Sequence, residues 1–256
     1  MNARHTESRA LILGGTQGVG LAIAKRLMAE GCEHVVITGR DADKGKRAAD
    51  EIGATFVQAD LEDVAGTIDT VDRAAEIMGR VDTLVVAGAL TDRGTILDTT
   101  PELFDRILKI NTQSPFFALQ RVAQRAREAG HKAACVNILT INIHGGQSFL
   151  APYAASKSAL ALITKNAASV LAKDHIRVNG INVGWMETPG EAEVQKKFHG
   201  GDDDWAQKAA EGRPMGKLVQ PDSVAGLTAY LLSDDAGVMT GALIDFDQVV
   251  PGMYPE

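Results

Sequence analysis

Tyr153 and Lys157 stand four residues apart in a stretch of helical character, so their side chains leave the same face. A free phenol titrates near ~10 and is a poor base at neutral pH. A neighbouring ammonium favours the phenolate, and so does the positive ring of an oxidised nicotinamide cofactor. Tyr153 could then exchange a proton with a substrate hydroxyl as a hydride leaves or arrives. Of the three tyrosines, only Tyr153 has a lysine at this spacing. Thr140 follows an apolar run and offers a hydroxyl that can hold the substrate oxygen. Asn111 is a poor helix-interior residue within a long helical pattern, which points to a role other than propensity. Alone, a Tyr-x-x-x-Lys pair is also what an ordinary exposed helix face carries; its meaning comes from what precedes it.

What precedes it is a glycine loop. Gly14-Gly15-Thr16-Gln17-Gly18-Val19-Gly20 follows the run Ala10 to Leu13 and opens a helical pattern. Glycines at 14, 18 and 20 allow a tight turn and close approach of backbone to a pyrophosphate, whose charge meets the helix N-terminus. About 20 residues further on, the next apolar run ends Thr38-Gly39-Arg40, with no acid at the strand end to take ribose hydroxyls. Arg40 suits a 2′-phosphate, which favours NADP(H) over NAD(H); it could equally stack on adenine or face solvent. Asp60, followed by Leu61, could accept from the adenine amino group or cap the helix that starts near Asp63. Ala87 and Gly88 are small enough to let a cofactor lie against the backbone.

The elements that must position these residues alternate. Strands are expected at Ala10 to Leu13, His34 to Thr38, Ala54 to Gln58, Thr83 to Val86, Ala134 to Leu139, Ile176 to Ile181 and Ala242 to Phe246. Helical patterns lie between them, at Leu21 to Glu30 and Asp63 to Met78, and over a long stretch of about 101–130 opened by Thr100-Pro101 and kinked by Pro115. Others follow from about Pro152 to Lys173 and from near Pro221. Strand and helix alternating this often predicts an α/β fold of Rossmann type: a single-domain, doubly wound parallel sheet with helices on both faces, spanning residues 1–256. In such sheets ligands bind beyond the carboxyl ends of the strands, so the residues that follow each strand, such as the glycine loop, Arg40, Asp60 and Thr140, are the ones to weigh.

Composition excludes other classes. The 256 residues carry a net charge of −7, with no concentration of Lys and Arg, so neither nucleic acid nor a membrane surface is an expected partner. No apolar run approaches the ~20 residues that span a bilayer, and the polar N-terminal residues lack a signal-peptide core, which points to the cytoplasm. Cys32 and Cys135 have no redox or metal spacing and are expected as buried small hydrophobes. The six histidines show no paired-ligand spacing, so no metal is expected.

Taken together, these residues resemble the short-chain dehydrogenase/reductase family over nearly the whole chain. The loop matches the family's TGxxxGxG pattern except for Leu13 in place of threonine, and Tyr153-Ala154-Ala155-Ser156-Lys157 matches its YxxxK site. The resemblance implies an NAD(P)-dependent alcohol/ketone oxidoreductase in which Thr140 occupies the catalytic serine's place. Asn111 would complete a tetrad by supporting a backbone-held water, and Lys157 would also bind the nicotinamide ribose. Thr188 matches the threonine that contacts the carboxamide, next to Gly184 in the turn after the sixth strand. Departures are Val86-Ala87-Gly88-Ala89 for NNAG, Val183-Gly184 for PG, and Asp247-Gln248-Val249 for DGG.

The family covers its substrate with a segment that here is Trp185 to Met215. That segment holds Glu187, Glu191, Gln195, His199, Trp205 and an aspartate run at 202–204, which also suits a helix cap on a solvated face. With Asn142, His144, Gln147 and Trp185 near the presumed site, a sugar or polyol is the expected substrate, Trp185 stacking on a sugar face. The alternative is a catalytically silent NADP(H)-binding sensor or interaction subunit. The resemblance also implies a homotetramer or homodimer built on the helices at about 101–130 and 152–173.

Overall fold

The computed structural model describes residues 3–252; the ends of the expected domain, residues 1–2 and 253–256, lie outside them. Seven strands form one sheet: β1 (Arg9–Leu13), β2 (His34–Gly39), β3 (Thr55–Gln58), β4 (Thr83–Val86), β5 (Ala133–Thr140), β6 (Ile176–Val183) and β7 (Leu243–Phe246). Their order is β3-β2-β1-β4-β5-β6-β7, and every pairing is parallel. Continuous apolar runs such as Ala10–Leu13 are fully buried because helices cover both faces. On one face α1 (Gly18–Ala29), α2 (Ala42–Ile52) and α9 (Pro221–Leu232) pack through Ile23, Leu27, Val224 and Leu231. On the other, α3 (Val64–Met78) and α5 (Ser114–Ala129) pack through Val71, Met78, Leu119 and Val122. Strand order reverses between β1 and β4, so their outgoing chains diverge and open a crevice at the carboxyl edge.

The local reasons for these elements are mostly those expected. Asp63 caps α3 by accepting from the Gly66 N–H, and Thr100 caps α4 (Pro101–Leu108) by accepting from Leu103. Cys32 and Cys135 are buried, and burial raises their thiols to about 11 and about 12.

The expected long helix over 101–130 is not one helix kinked by Pro115. A π-helical turn, Lys109–Gln113, separates α4 from α5, and Pro115 occupies the first turn of α5. Proline has no N–H to give the carbonyl four residues back, which is that of Asn111, so the α-ladder loses a bond at this point. Two helices that the sequence pattern did not show, α7 (Pro189–His199) and α8 (Trp205–Glu211), lie within 185–215. The remaining long helix, α6, spans Ala151–Leu171 and carries the tyrosine and lysine.

Candidate active site

The glycine loop is built by close backbone approach. Gly14 has φ +80°, and a Cβ there would lie 2.4 Å from the Gly88 backbone; a Cβ on Gly20 would lie 2.1 Å from the Gly14 carbonyl oxygen. Gly18 also has positive φ, +53°. The ends of β1 and β4 are tied where Ala87 and Gly88 donate to the Leu13 carbonyl at 2.9 and 2.8 Å. The Thr38 hydroxyl accepts from the Gly14 N–H at 3.2 Å, fixing the loop to β2. Gln17 precedes α1 without a side-chain cap, and no acid stands in the first turn. The positive end of α1 is therefore left uncompensated behind side-chain-free backbone, which fits a pyrophosphate. Val19 packs its side chain back against the core, whereas Thr16 lies beside Gly39 at the β2 end.

Arg40 lies just past β2 and is exposed; its guanidinium has no hydrogen-bond or ion-pair partner among the described residues. Lys44, in the first turn of α2, donates to Gln17 Oε1 in the glycine loop. Asp60 holds a turn by accepting from the Glu62 N–H at 2.9 Å, while Asp63 is the helix cap. Leu61 packs where a Cβ on Gly88 would fall and accepts from the Ser114 hydroxyl at 2.6 Å.

The chemistry-bearing side chains converge at the carboxyl end of β5. Thr140 is its last residue, two beyond Ile138, whose carbonyl accepts from Lys157 Nζ at 2.8 Å. Tyr153 lies one turn before Lys157 on α6. Burial pushes the phenol up to about 12 and the Lys157 ammonium down to about 8; hydrogen bonding from Thr140 pulls the phenol the other way. The expectation that Lys157 depresses the phenol is thus not met in the chain by itself: the lysine points to Ile138, and desolvation dominates both groups.

Asn111, fully buried in the π turn, grips the segment after β4. Its Oδ1 accepts from the Leu90 N–H at 2.8 Å, and its Nδ2 donates to the Leu90 carbonyl at 2.9 Å and to Ser156 Oγ at 3.0 Å. Ser156 in turn donates to the Tyr153 carbonyl at 2.7 Å. The side chain of Asn111 is therefore spent on holding the loop after β4 against the tyrosine's helix. Ser156 is a participant that only its position inside the YxxxK motif could have suggested.

The other expected residues are dispersed. Asn142 donates its backbone N–H to Thr140 Oγ1 at 3.3 Å. His144 is exposed and pairs with Asp245 of β7 at 2.8 Å, and Gln147 is exposed. Gly184 packs on Asp247, whose Oδ1 accepts from Gln248. Gln248, in the place of the family's glycine, accepts from the Met215 N–H and donates to the Lys217 carbonyl, anchoring the end of segment 185–215. Thr188 caps α7 by accepting from the Glu191 N–H at 3.0 Å and lies against Gly18 of the loop. Trp185 Nε1 donates to Glu191 Oε1 at 2.9 Å, and its ring lies 6.0 Å from Trp205. Asp202 Oδ1 accepts from the Asp204 N–H just before α8, and the carboxylate pairs with Lys208 at 2.5 Å.

Arg93, in the loop after β4, has no periodicity to mark it in the sequence. A bridge between Gly94 and Leu150 places it beside Phe149, just ahead of α6. Among the described residues, no three His, Cys, Asp or Glu side chains group to hold a metal, and no helix is long and apolar enough to cross a membrane.

Comparison with known proteins fits this geometry. The profile of the family described as enoyl-(acyl carrier protein) reductase matches residues 14–248. An NADP-dependent (R)-specific alcohol dehydrogenase of Lentilactobacillus kefiri is 36% identical over 251 residues, covering 96% of this chain and 95% of the relative. Carbonyl reductase [NADPH] 2 of Sus scrofa is 32% identical over 239 residues, covering 93% and 94%. A solved actinorhodin polyketide ketoreductase with NADPH superposes with a TM-score of 0.89 at 27% identity, over 99% of this chain and 100% of that one. The chain belongs to the short-chain dehydrogenase/reductase family. It is an NAD(P)-dependent oxidoreductase of Rossmann-type fold.

Proposed function

We propose that this enzyme interconverts a secondary alcohol and a ketone, uses NADP(H) in preference to NAD(H), and acts on a sugar or polyol. The observation that carries the reaction is the convergence of Thr140, Tyr153 and Lys157 at the carboxyl end of β5, beside a glycine loop with an open helix N-terminus. The nicotinamide cofactor supplies or takes the hydride when bound. Thr140 orients the substrate oxygen, and Tyr153 exchanges the proton with it. Lys157, from the same helix face, orients the nicotinamide ribose. The loop glycines 14, 18 and 20 admit the pyrophosphate, and the unpartnered Arg40 supports the NADP preference. The NADP and NADPH in the names of the similar enzymes point the same way.

Residues 185–215 act as the lid of the single domain, with Thr188 and Gly184 at its cofactor end. The linked Trp185, Glu191 and Gln195 give it the polar inner lining a polyol needs. We place the enzyme in the cytoplasm, as a homotetramer or homodimer.

The test is to follow the absorbance of reduced nicotinamide with purified protein, NAD or NADP, and a panel of polyols, sugars and cyclic alcohols, alongside Tyr153→Phe. Reduction of NADP by a polyol should fall by roughly 100-fold or more in the variant. Turnover of steroids or fatty acyl thioesters but of no polyol would sink the substrate reading. Absence of binding of either cofactor would sink the whole assignment.

A further inference from the structure

The segment after β6 leaves the body of the molecule and returns to it at one point. The Val219 N–H donates to the Trp185 carbonyl at 3.0 Å, and the Glu187 N–H donates to the Val219 carbonyl at 3.1 Å. Met186 and Val219 are thus bridged, and the base of the segment is closed by backbone bonds.

Along α7 the attachment is of another kind. No residue of that helix is buried, so no apolar stripe fastens it to the body. A cleft of about 480 Å³, lined by Asp92 together with Glu193, Val194 and Phe198 of α7, runs along this seam. The helix is held at its ends instead. Its N-terminal end rests on the glycine loop, where a Cβ on Gly18 would lie 3.5 Å from Thr188. A Cβ on Gly190 would likewise lie 3.3 Å from Gln17 Nε2.

Arg93 holds the C-terminal end. Its Cζ lies 5.1 Å from the centre of the Phe149 ring, on the body, and 5.7 Å from that of Phe198, on α7. Arg93 Nε donates to His199 Nε2 at 3.3 Å, and Nη2 lies 3.2 Å from the same nitrogen. A guanidinium has donors only, so His199 Nε2 is the acceptor and the ring proton sits on Nδ1. The His199 ring also meets Phe149 edge-on, with centres 5.5 Å apart. Beside them Lys197 pairs with Asp92 at 3.2 Å. Arg93 itself is steadied from the body, donating through Nη1 to the Thr91 carbonyl at 3.2 Å. The bridge from Gly94 to Leu150 ties its loop to the start of α6.

Each of these contacts is weak at a half-exposed site, and α7 adds no buried side chain to them. Such contacts hold an element in place yet release it at small cost, and moving covers are drawn from elements of that kind. We infer that Arg93 and His199 are positioning residues that latch α7 over the site. The lid opens at this end, while its bridged base and its Thr188 end stay fixed. Substrate then enters between Phe149 and the end of α7, past Arg93. The inference rests on the reading of 185–215 as a lid and gives that lid a fastening and a direction of opening.

Hydrogen–deuterium exchange tests it on the free enzyme, unmodified and as Arg93→Met, His199→Leu, the two combined, and His199→Gln. Each single change to Met or Leu should speed exchange over residues 189–199 by roughly tenfold and leave the glycine loop and β5 as they were. The combined variant should exchange no faster than either single one, because both lose the same bond. His199→Gln, whose amide oxygen can accept from the guanidinium, should stay near the unmodified rate. Acrylamide quenching of bound NADPH fluorescence reads access to the site, and it should rise in the variants whose α7 exchanges faster. Unchanged exchange over 189–199 in both single variants, or additive effects in the combined one, would overturn the latch. Faster exchange throughout the sheet would also overturn it, reducing Arg93 to a general support of the fold. Faster exchange of α7 alone, with quenching unchanged, would instead overturn the reading of this segment as a lid, and the entry route with it.

Discussion

At the scale of the residue, burial governs the ionisation of Tyr153 and Lys157, the two groups proposed to serve the reaction. Lys157 has its ammonium pushed from the ordinary 10.5 down to about 8 because it is held in the interior with a single carbonyl partner. Between those values the unfolded chain keeps the proton that the folded chain has lost, so this group makes stability rise with pH over that window. Below about pH 8 both states hold the proton and the full desolvation cost applies. Lys157→Met should therefore be inactive yet more stable at pH 7, by roughly 2 kcal/mol once the lost Ile138 bond is subtracted. Urea unfolding from pH 7 to 10.5 should show that advantage shrinking; an advantage constant across the range would contradict the shift. The sequence made Tyr153, Lys157 and Thr140 legible because spacing on one helix face and position after a strand are properties of the chain itself. It could not show that Lys157 would turn to Ile138, nor that Arg93 would lie over Phe149, because those depend on contacts between distant elements.

At the scale of the element, the break in the helix after β4 shows what pattern reading misses. The apolar period continues through 101–130, so one helix is the natural expectation. Only the backbone shows that Lys109–Gln113 takes a π turn. That turn delivers Asn111 to Leu90 and Ser156, where three hydrogen bonds span the loop after β4, α5's approach and α6. Asn111→Ala leaves the Leu90 N–H and carbonyl without these partners inside the protein. It should cost about 2–4 kcal/mol in urea unfolding and lower kcat more than cofactor affinity. A loss below 1 kcal/mol would show that the loop finds other partners. The helices α7 and α8 escaped detection for a different reason. No residue of α7 is buried, so no apolar stripe betrays it, and its start is marked only by the Thr188-Pro189 cap.

At the scale of the whole molecule, the strand alternation made the doubly wound sheet legible, since buried parallel strands read as short continuous apolar runs. The proposed assembly is less legible, because residues that would face a partner copy have the same character as core. Phe104 of α4, Phe116 of α5 and Leu162 and Val170 of α6 are exposed, at 40%, 39%, 61% and 61%. These large apolar groups on α4, α5 and α6 suit a subunit interface. Phe116→Glu combined with Leu162→Asp should convert the oligomer to monomers in light scattering after size exclusion; an unchanged mass would place the interface elsewhere. The strand order carries a further consequence. Everything before α3 ends lies on the side of β1, β2 and β3, where we place the adenosine end of the cofactor, while the proposed reacting groups and substrate cover come from the chain after β4. On that assignment, coenzyme choice and substrate choice are inherited on separate halves of the chain. A recombination falling near the Gly79–Arg80 turn could exchange one without rewriting the other.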